Sequence, residues 1–134
     1  MNHQRTYRRF VLFIFVTSLW IFIVGCSDTF GTSGQTTSVN FITRHHDEII
    51  PNIEIYVKYF VTDFPGYEQF ETFDTVLISS SSGRASLRNF PLGHHWFVAI
   101  GFDEKIREQV IGNIDLTFNL RNLQVDTIMY VGEE

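Results

Sequence analysis

Ile53-Glu54-Ile55-Tyr56-Val57-Lys58-Tyr59 places Ile53, Ile55, Val57 and Tyr59 at every second position, with Glu54, Tyr56 and Lys58 between them. In an extended chain successive side chains point to opposite faces, so this spacing puts an apolar row on one side and a more polar row on the other. The segment is therefore read as a half-buried β-strand. Pro51-Asn52 marks its entrance.

The same period of two runs outward in both directions. Val39 to Thr43 is read as a preceding strand, with His45-His46-Asp47-Glu48 as the connecting turn. Asp74 to Ser79 and Arg84 to Phe90 follow as strands joined by Ser80-Ser81-Ser82-Gly83, a hairpin turn whose glycine can take a positive φ. Pro91-Leu92-Gly93 turns the chain into His94 to Phe102, where Trp96, Phe97, Val98, Ala99 and Ile100 are apolar on both faces, as a central strand requires. Ile114, Leu116, Phe118 and Leu120 alternate again, and Thr127 to Val131 supplies the last strand. Asp103 to Gln109 has room for one helical turn. About seven short strands closed by turn residues predict an all-β fold, an antiparallel β-sandwich of transthyretin-like or Ig-like Greek-key kind.

Ahead of this lies a different composition. Arg5, Arg8 and Arg9 precede a fifteen-residue apolar run from Phe10 to Val24, interrupted only by Thr17 and Ser18 and closed by Gly25-Cys26. A positive segment, an apolar stretch and a small residue before a cut site make a signal peptide, and residues 1–25 are assigned to it as an N-terminal helix. An uncleaved spanning helix is the competing reading, but the run is short of the ~20 residues needed to cross ~30 Å of hydrocarbon. The paired arginines raise twin-arginine export as an alternative, although Phe10 begins the apolar run at once, so Sec export is preferred.

Ile23-Val24-Gly25-Cys26 resembles the bacterial lipobox. The resemblance implies that Ile23, Val24 and Gly25 are recognised by the signal peptidase and that Cys26 carries diacylglycerol and an N-acyl chain. At ~0.8 kcal/mol per buried methylene, two or three acyl chains hold a protein to a membrane far more firmly than one. Ser27 after the cysteine resembles the outer-membrane sorting type of Gram-negative lipoproteins, facing the periplasm or the exterior. Cys26 is the only cysteine, which excludes an intrachain disulfide. Residues 26–37, rich in Ser, Thr and Gly, read as the lipidated cysteine and a flexible tether with a span of roughly 18 Å. The sandwich is assigned to residues 38–134.

The net charge of −5 becomes −8 once the three arginines before Cys26 are removed. An acidic domain is repelled by phosphate backbones and anionic headgroups, so nucleic acid is not an expected partner and the lipid is the expected membrane attachment.

Further features of the strand region resemble the carboxypeptidase regulatory-like domains of prealbumin (transthyretin)-like fold. These are Ile50-Pro51-Asn52-Ile53 with Ile55 and Val57, then Ser82-Gly83-Arg84-Ala85, and Asn89-Phe90-Pro91-Leu92-Gly93 followed by His95, Phe97 and Ala99. Small lipoproteins of that class carry segments similar to Val57-Lys58-Tyr59, Thr62-Asp63-Phe64-Pro65-Gly66 and Gly101-Phe102-Asp103. The resemblance covers most of residues 39–131 and implies a non-catalytic module.

Candidate chemistry is sparse. His45-His46 and His94-His95 are the best metal candidates, since imidazole suits Zn, Cu or Ni, but neighbours on a strand point to opposite faces and one pair cannot chelate from a strand. No metal is assigned. Asp47-Glu48 and Asp103-Glu104 with Glu108 lack a calcium-loop pattern and are read as a solvated rim. Ser79 to Ser82 contains no G-x-S-x-G and is explained by turn chemistry. The aromatic excursion from Val61 to Phe73 is long for a loop and makes Phe64, Tyr67 and Phe70 the candidate contact residues. The expectation is a lipid-anchored, non-enzymatic envelope module without a cofactor beyond its lipid, contacting another envelope protein or a glycan. Glycan or metal capture by the aromatic loop or the histidine pairs is the alternative, and a small enzyme the opposing class.

Overall fold

The computed structural model describes residues 36–133. The lipobox residues Ile23, Val24, Gly25 and Cys26 lie outside them. Nine strands are present among the described residues: β1 (Ser38–His45), β2 (Glu48–Ile49), β3 (Glu54–Tyr59), β4 (Thr75–Ile78), β5 (Arg84–Arg88), β6 (Gly93–Asp103), β7 (Glu108–Phe118), β8 (Gln124–Tyr130) and β9 (Gly132–Glu133). Two have only two residues each, which leaves seven principal strands.

They form two packed sheets. The larger runs β4-β3-β6-β7-β9, and the smaller is built on β1, which pairs with β2, β5 and β8. The opening stretch is β3, whose Ile55 and Val57 lie opposite Ala99 and Phe97 of β6 and face inward. From the smaller sheet Val39, Phe41 and Met129 meet them, with the rings of Phe41 and Phe97 5.0 Å apart across the layers. Burying one such side chain contributes about 1.5–3 kcal/mol. The doubly apolar segment around Trp96–Ile100 is indeed central, since β6 is paired along its length by β3 and β7.

Four local expectations change. The sandwich is antiparallel except for one pair, because β8 runs parallel to β1, from Ser38 opposite Gln124 to Arg44 opposite Tyr130. The Ser80–Gly83 turn is a corner between sheets rather than a hairpin within one, as β4 and β5 belong to different sheets. Ser79, at 1% exposure, fixes that corner by accepting the Ile53 N–H at 2.9 Å while lying 3.4 Å from Thr43 Oγ1. Gly83 takes φ +69° there. Asp103–Glu108 closes the β6–β7 hairpin instead of making a helical turn, with Arg107 in the left-handed region and its N–H bonded to the Asp103 carbonyl. Thr37, read as tether, is buried and accepts the Phe90 N–H at 2.9 Å.

Between β8 and β9 the chain crosses from the smaller sheet to the larger at Val131. It passes directly over Gly112, where a Cβ would stand 2.1 Å from the Tyr130 carbonyl oxygen. Only a residue without a side chain lets the two backbones approach this closely.

Candidate functional site

The inward row of the larger sheet determines its outward one. Tyr56 and Lys58 of β3, Trp96 and Val98 of β6 and Asn113 of β7 face away from the core. The aromatic loop from Val61 to Phe73 lies across this outer face and is held at several points. Phe60 starts it in the left-handed region, φ 59°, and its N–H donates to His95 Nδ1 at 3.3 Å. Trp96 Nε1 donates to the Thr62 carbonyl at 3.3 Å, and the Phe64 ring packs 5.1 Å from Trp96 and 4.9 Å from Tyr67. The Asn113 amide donates to the Tyr67 hydroxyl, and Lys58 Nζ donates to the Thr72 carbonyl. Phe70, in a short 3-10 turn, and Phe73 pack against Tyr56 at 4.4 and 5.9 Å. At the far end Asp74 accepts the Tyr59 N–H at 2.7 Å.

This anchoring explains why Val98, on the outward row, is 0% exposed. It also divides the three candidate contact residues. Tyr67 and Phe70 are half-buried and hold the loop down, whereas Phe64 remains 40% exposed. The acids Asp63, Glu68 and Glu71 are exposed from the loop, and Glu54 and Asp115 from the strands beneath. A long segment with this many attachments presents a fixed surface.

The histidine pairs are not brought together. His94 and His95 begin β6, and His45 packs against Asp103 at its other end, roughly 27 Å away for eight residues of extended chain. His95 is fully buried among Tyr59, Phe60, Phe90 and Phe118. Its Nε2 donates to the Pro91 carbonyl at 2.8 Å and its Nδ1 accepts from Phe60, so a single tautomer satisfies both nitrogens. His94 faces out, with Nδ1 3.0 Å from Thr117 Oγ1 and Nε2 3.6 Å from Asp115. Among the described residues no three His, Cys, Asp or Glu side chains gather in a metal-holding arrangement.

Asp103 corrects the reading of its neighbourhood as a solvated rim. Its carboxylate meets His45 Nδ1 at 2.8 Å, with the two side chains 6% and 5% exposed, and its other oxygen accepts the Lys105 N–H at 2.8 Å. His45 Nε2 lies 3.4 Å from Glu133. The pair ties β1 of the smaller sheet to β6 of the larger. His45, assigned by sequence to the connecting turn after Thr43, instead ends β1 and continues the inward row of Val39, Phe41 and Thr43; a buried imidazole needs a polar partner, and the sequence does not say which acid supplies it.

The hydrogen bond from His45, reinforced by the Lys105 and Ile106 N–H groups, holds the Asp103 carboxyl below its ordinary value. The same bond to Asp103 holds His45 above its ordinary value, against the opposing effect of burial. The raised His45 value stabilises the fold fully below the unfolded His pKa of about 6.5, and that contribution is lost as pH rises through the folded value. The lowered Asp103 value stabilises above the unfolded Asp pKa of about 3.9, and is lost as pH falls through the folded one. The wild-type advantage over His45→Gln in urea denaturation is therefore expected to be greatest at about pH 5–6 and to shrink on raising the pH. A gap that stays constant from acid to alkaline pH would contradict this.

No protein-family model matches the sequence. No curated protein matches it either. Among solved structures the chain is similar to BcpA, the major pilin subunit of Bacillus cereus, with 12% identity and a TM-score of 0.51 over 74% of this chain. A variant form of the same subunit gives 12% identity and a TM-score of 0.50 over 72%. The matched region amounts to 30% of the pilin chain in both. At this identity the likeness is one of fold, a β-sandwich domain.

Proposed function

We propose that this chain is a lipid-anchored, non-enzymatic module of the cell envelope, which uses the loop-covered outer face of its larger sheet to contact another envelope component. The observation that carries the contact reading is the fixed aromatic loop, which spends Tyr67 and Phe70 on its own sheet and leaves Phe64, Asp63, Glu68 and Glu71 open to a partner. The anchor rests on Ile23-Val24-Gly25-Cys26, and outer-membrane placement in a Gram-negative cell on Ser27. The proposed kinship with the carboxypeptidase regulatory-like domains rests on Ile50-Pro51-Asn52-Ile53, Ser82-Gly83-Arg84-Ala85 and Asn89-Phe90-Pro91-Leu92-Gly93. Asn52 at the strand entrance and Asn89 in the Asn-Phe-Pro-Leu-Gly turn both take positive φ, which asparagine tolerates better than most residues.

A photoreactive residue in place of Gln69, in intact envelopes, tests the contact. A discrete adduct is expected, and its absence under conditions where the protein is abundant would overturn the reading. For the anchor, Cys26→Ala is expected to abolish incorporation of labelled palmitate and leave an unprocessed precursor. Label entering that variant would defeat the assignment.

A further inference from the structure

The two outer faces of the sandwich differ in charge. On the smaller sheet the outward residues are Ser38, Asn40, Ile42 and Arg44 of β1, Arg84, Ser86 and Arg88 of β5, and the outward row of β8. That face carries three arginines against one acid, Asp126, which is engaged by Asn40 at 2.6 Å. The nearby Glu48 is turned to Lys105. On the larger sheet Glu54, Asp63, Glu68, Glu71 and Asp115 are exposed. Lys58 on this face is committed to the Thr72 carbonyl, and His94 sits against Thr117 and Asp115.

Each face also has an apolar centre. Ile42 lies beside Ile128 at the floor of an open depression of ≈460 Å³, bordered by Asn40, Arg84, Ser86 and Asp126. Phe64 and, on β4, Val76 and Ile78 are exposed on the acidic side. Arg44 Nε is covered yet has no hydrogen-bond partner among the described residues.

We propose that copies of this chain stack head to tail, the arginine-bearing outer face of the smaller sheet in one copy seating on the acidic, loop-covered face of the larger sheet in the next. This builds on the contact reading above by naming the partner as a second copy. Unlike faces on opposite sides of one sandwich meet only heterologously, so the association does not close at two. The acidic net charge opposes association of copies in general, and this orientation offsets it by bringing arginines to carboxylates.

Sedimentation velocity of the full chain in nonionic detergent tests it. The sedimentation coefficient is expected to climb with concentration past the dimer at low salt and to fall back in about 0.5 M NaCl, where the Debye length is only a few ångströms. Arg84→Glu with Arg88→Glu, and separately Glu68→Lys with Glu71→Lys, should each weaken association at least about tenfold. All four sites are exposed, and circular dichroism checks that the fold is retained. An equimolar mixture of the two altered proteins should associate again, through the unaltered arginine-bearing face of one and the unaltered acidic face of the other. A plateau at the dimer, monomer at every concentration, or a mixture that stays apart overturns the proposal. If the chain is monomeric while the Gln69 adduct contains a different envelope protein, stacking is overturned and the contact reading stands.

Discussion

Replacing Gly112 by alanine is expected to lower the stability of the domain by roughly 3 kcal/mol, at the upper end for an overpacked site. The added Cβ meets the Tyr130 carbonyl oxygen at 2.1 Å, the Tyr130 carbonyl carbon at 3.0 Å and the Val131 Cα at 3.1 Å. All three are backbone atoms of the segment that carries the chain from β8 to β9, so no rotamer change relieves the clash. Gly101→Ala gives the comparison: its Cβ meets the Ile53 Cδ1 at 2.2 Å, the far end of a side chain that can swing, and about 1 kcal/mol is expected. Gly132→Ala meets nothing within 4 Å and should stay within about 0.5 kcal/mol of wild type. Urea midpoints of the three variants must fall in that order. A Gly112 variant as mild as the Gly132 one would mean that the sheets do not approach there.

His95→Ala is expected to cost roughly 3–4 kcal/mol, by opening a cavity among four aromatic rings and orphaning two backbone groups. The Pro91 carbonyl loses its donor and the Phe60 N–H its acceptor, both at the point where the aromatic loop leaves β3. His95→Phe separates the two contributions. It refills the space but leaves the backbone groups unpaired, and should recover only part of the loss, remaining about 1–3 kcal/mol below wild type. Full recovery would show that the ring matters as filler alone. Because Phe60 opens the loop, both variants should also raise amide exchange around residues 60–64, a readout that general destabilisation spreads evenly over the strands.

His95 shows how far the sequence could be read. Its place opposite Tyr59, in register with the inward row of β3, follows from period two once β3 and β6 are paired. Read without that pairing, it is one of two adjacent histidines and a metal candidate. The aromatic loop behaves in the same way. Its length and composition were visible, but that Tyr67 and Phe70 hold it to the sheet while Phe64 stays open depends on Trp96, Asn113 and Tyr56, which come from three strands.

By itself the sequence determined the strand pattern and the all-β class, because side-chain alternation is a local property of an extended chain and needs no knowledge of what pairs with what. The positive φ at Gly83 was legible as a local property of its turn, whereas His45 was read as part of a turn and only the pairing of β1 made it the end of a strand. Tertiary structure alone decided that β8 lies parallel to β1, that Ser80–Gly83 turns a corner between sheets, that Asp103 rather than any other acid meets His45, and that the arginines and carboxylates fall on opposite outer faces. Each of these depends on which segments, tens of residues apart, become neighbours, and the core that selects those neighbours is a sum over many side chains that no single stretch records.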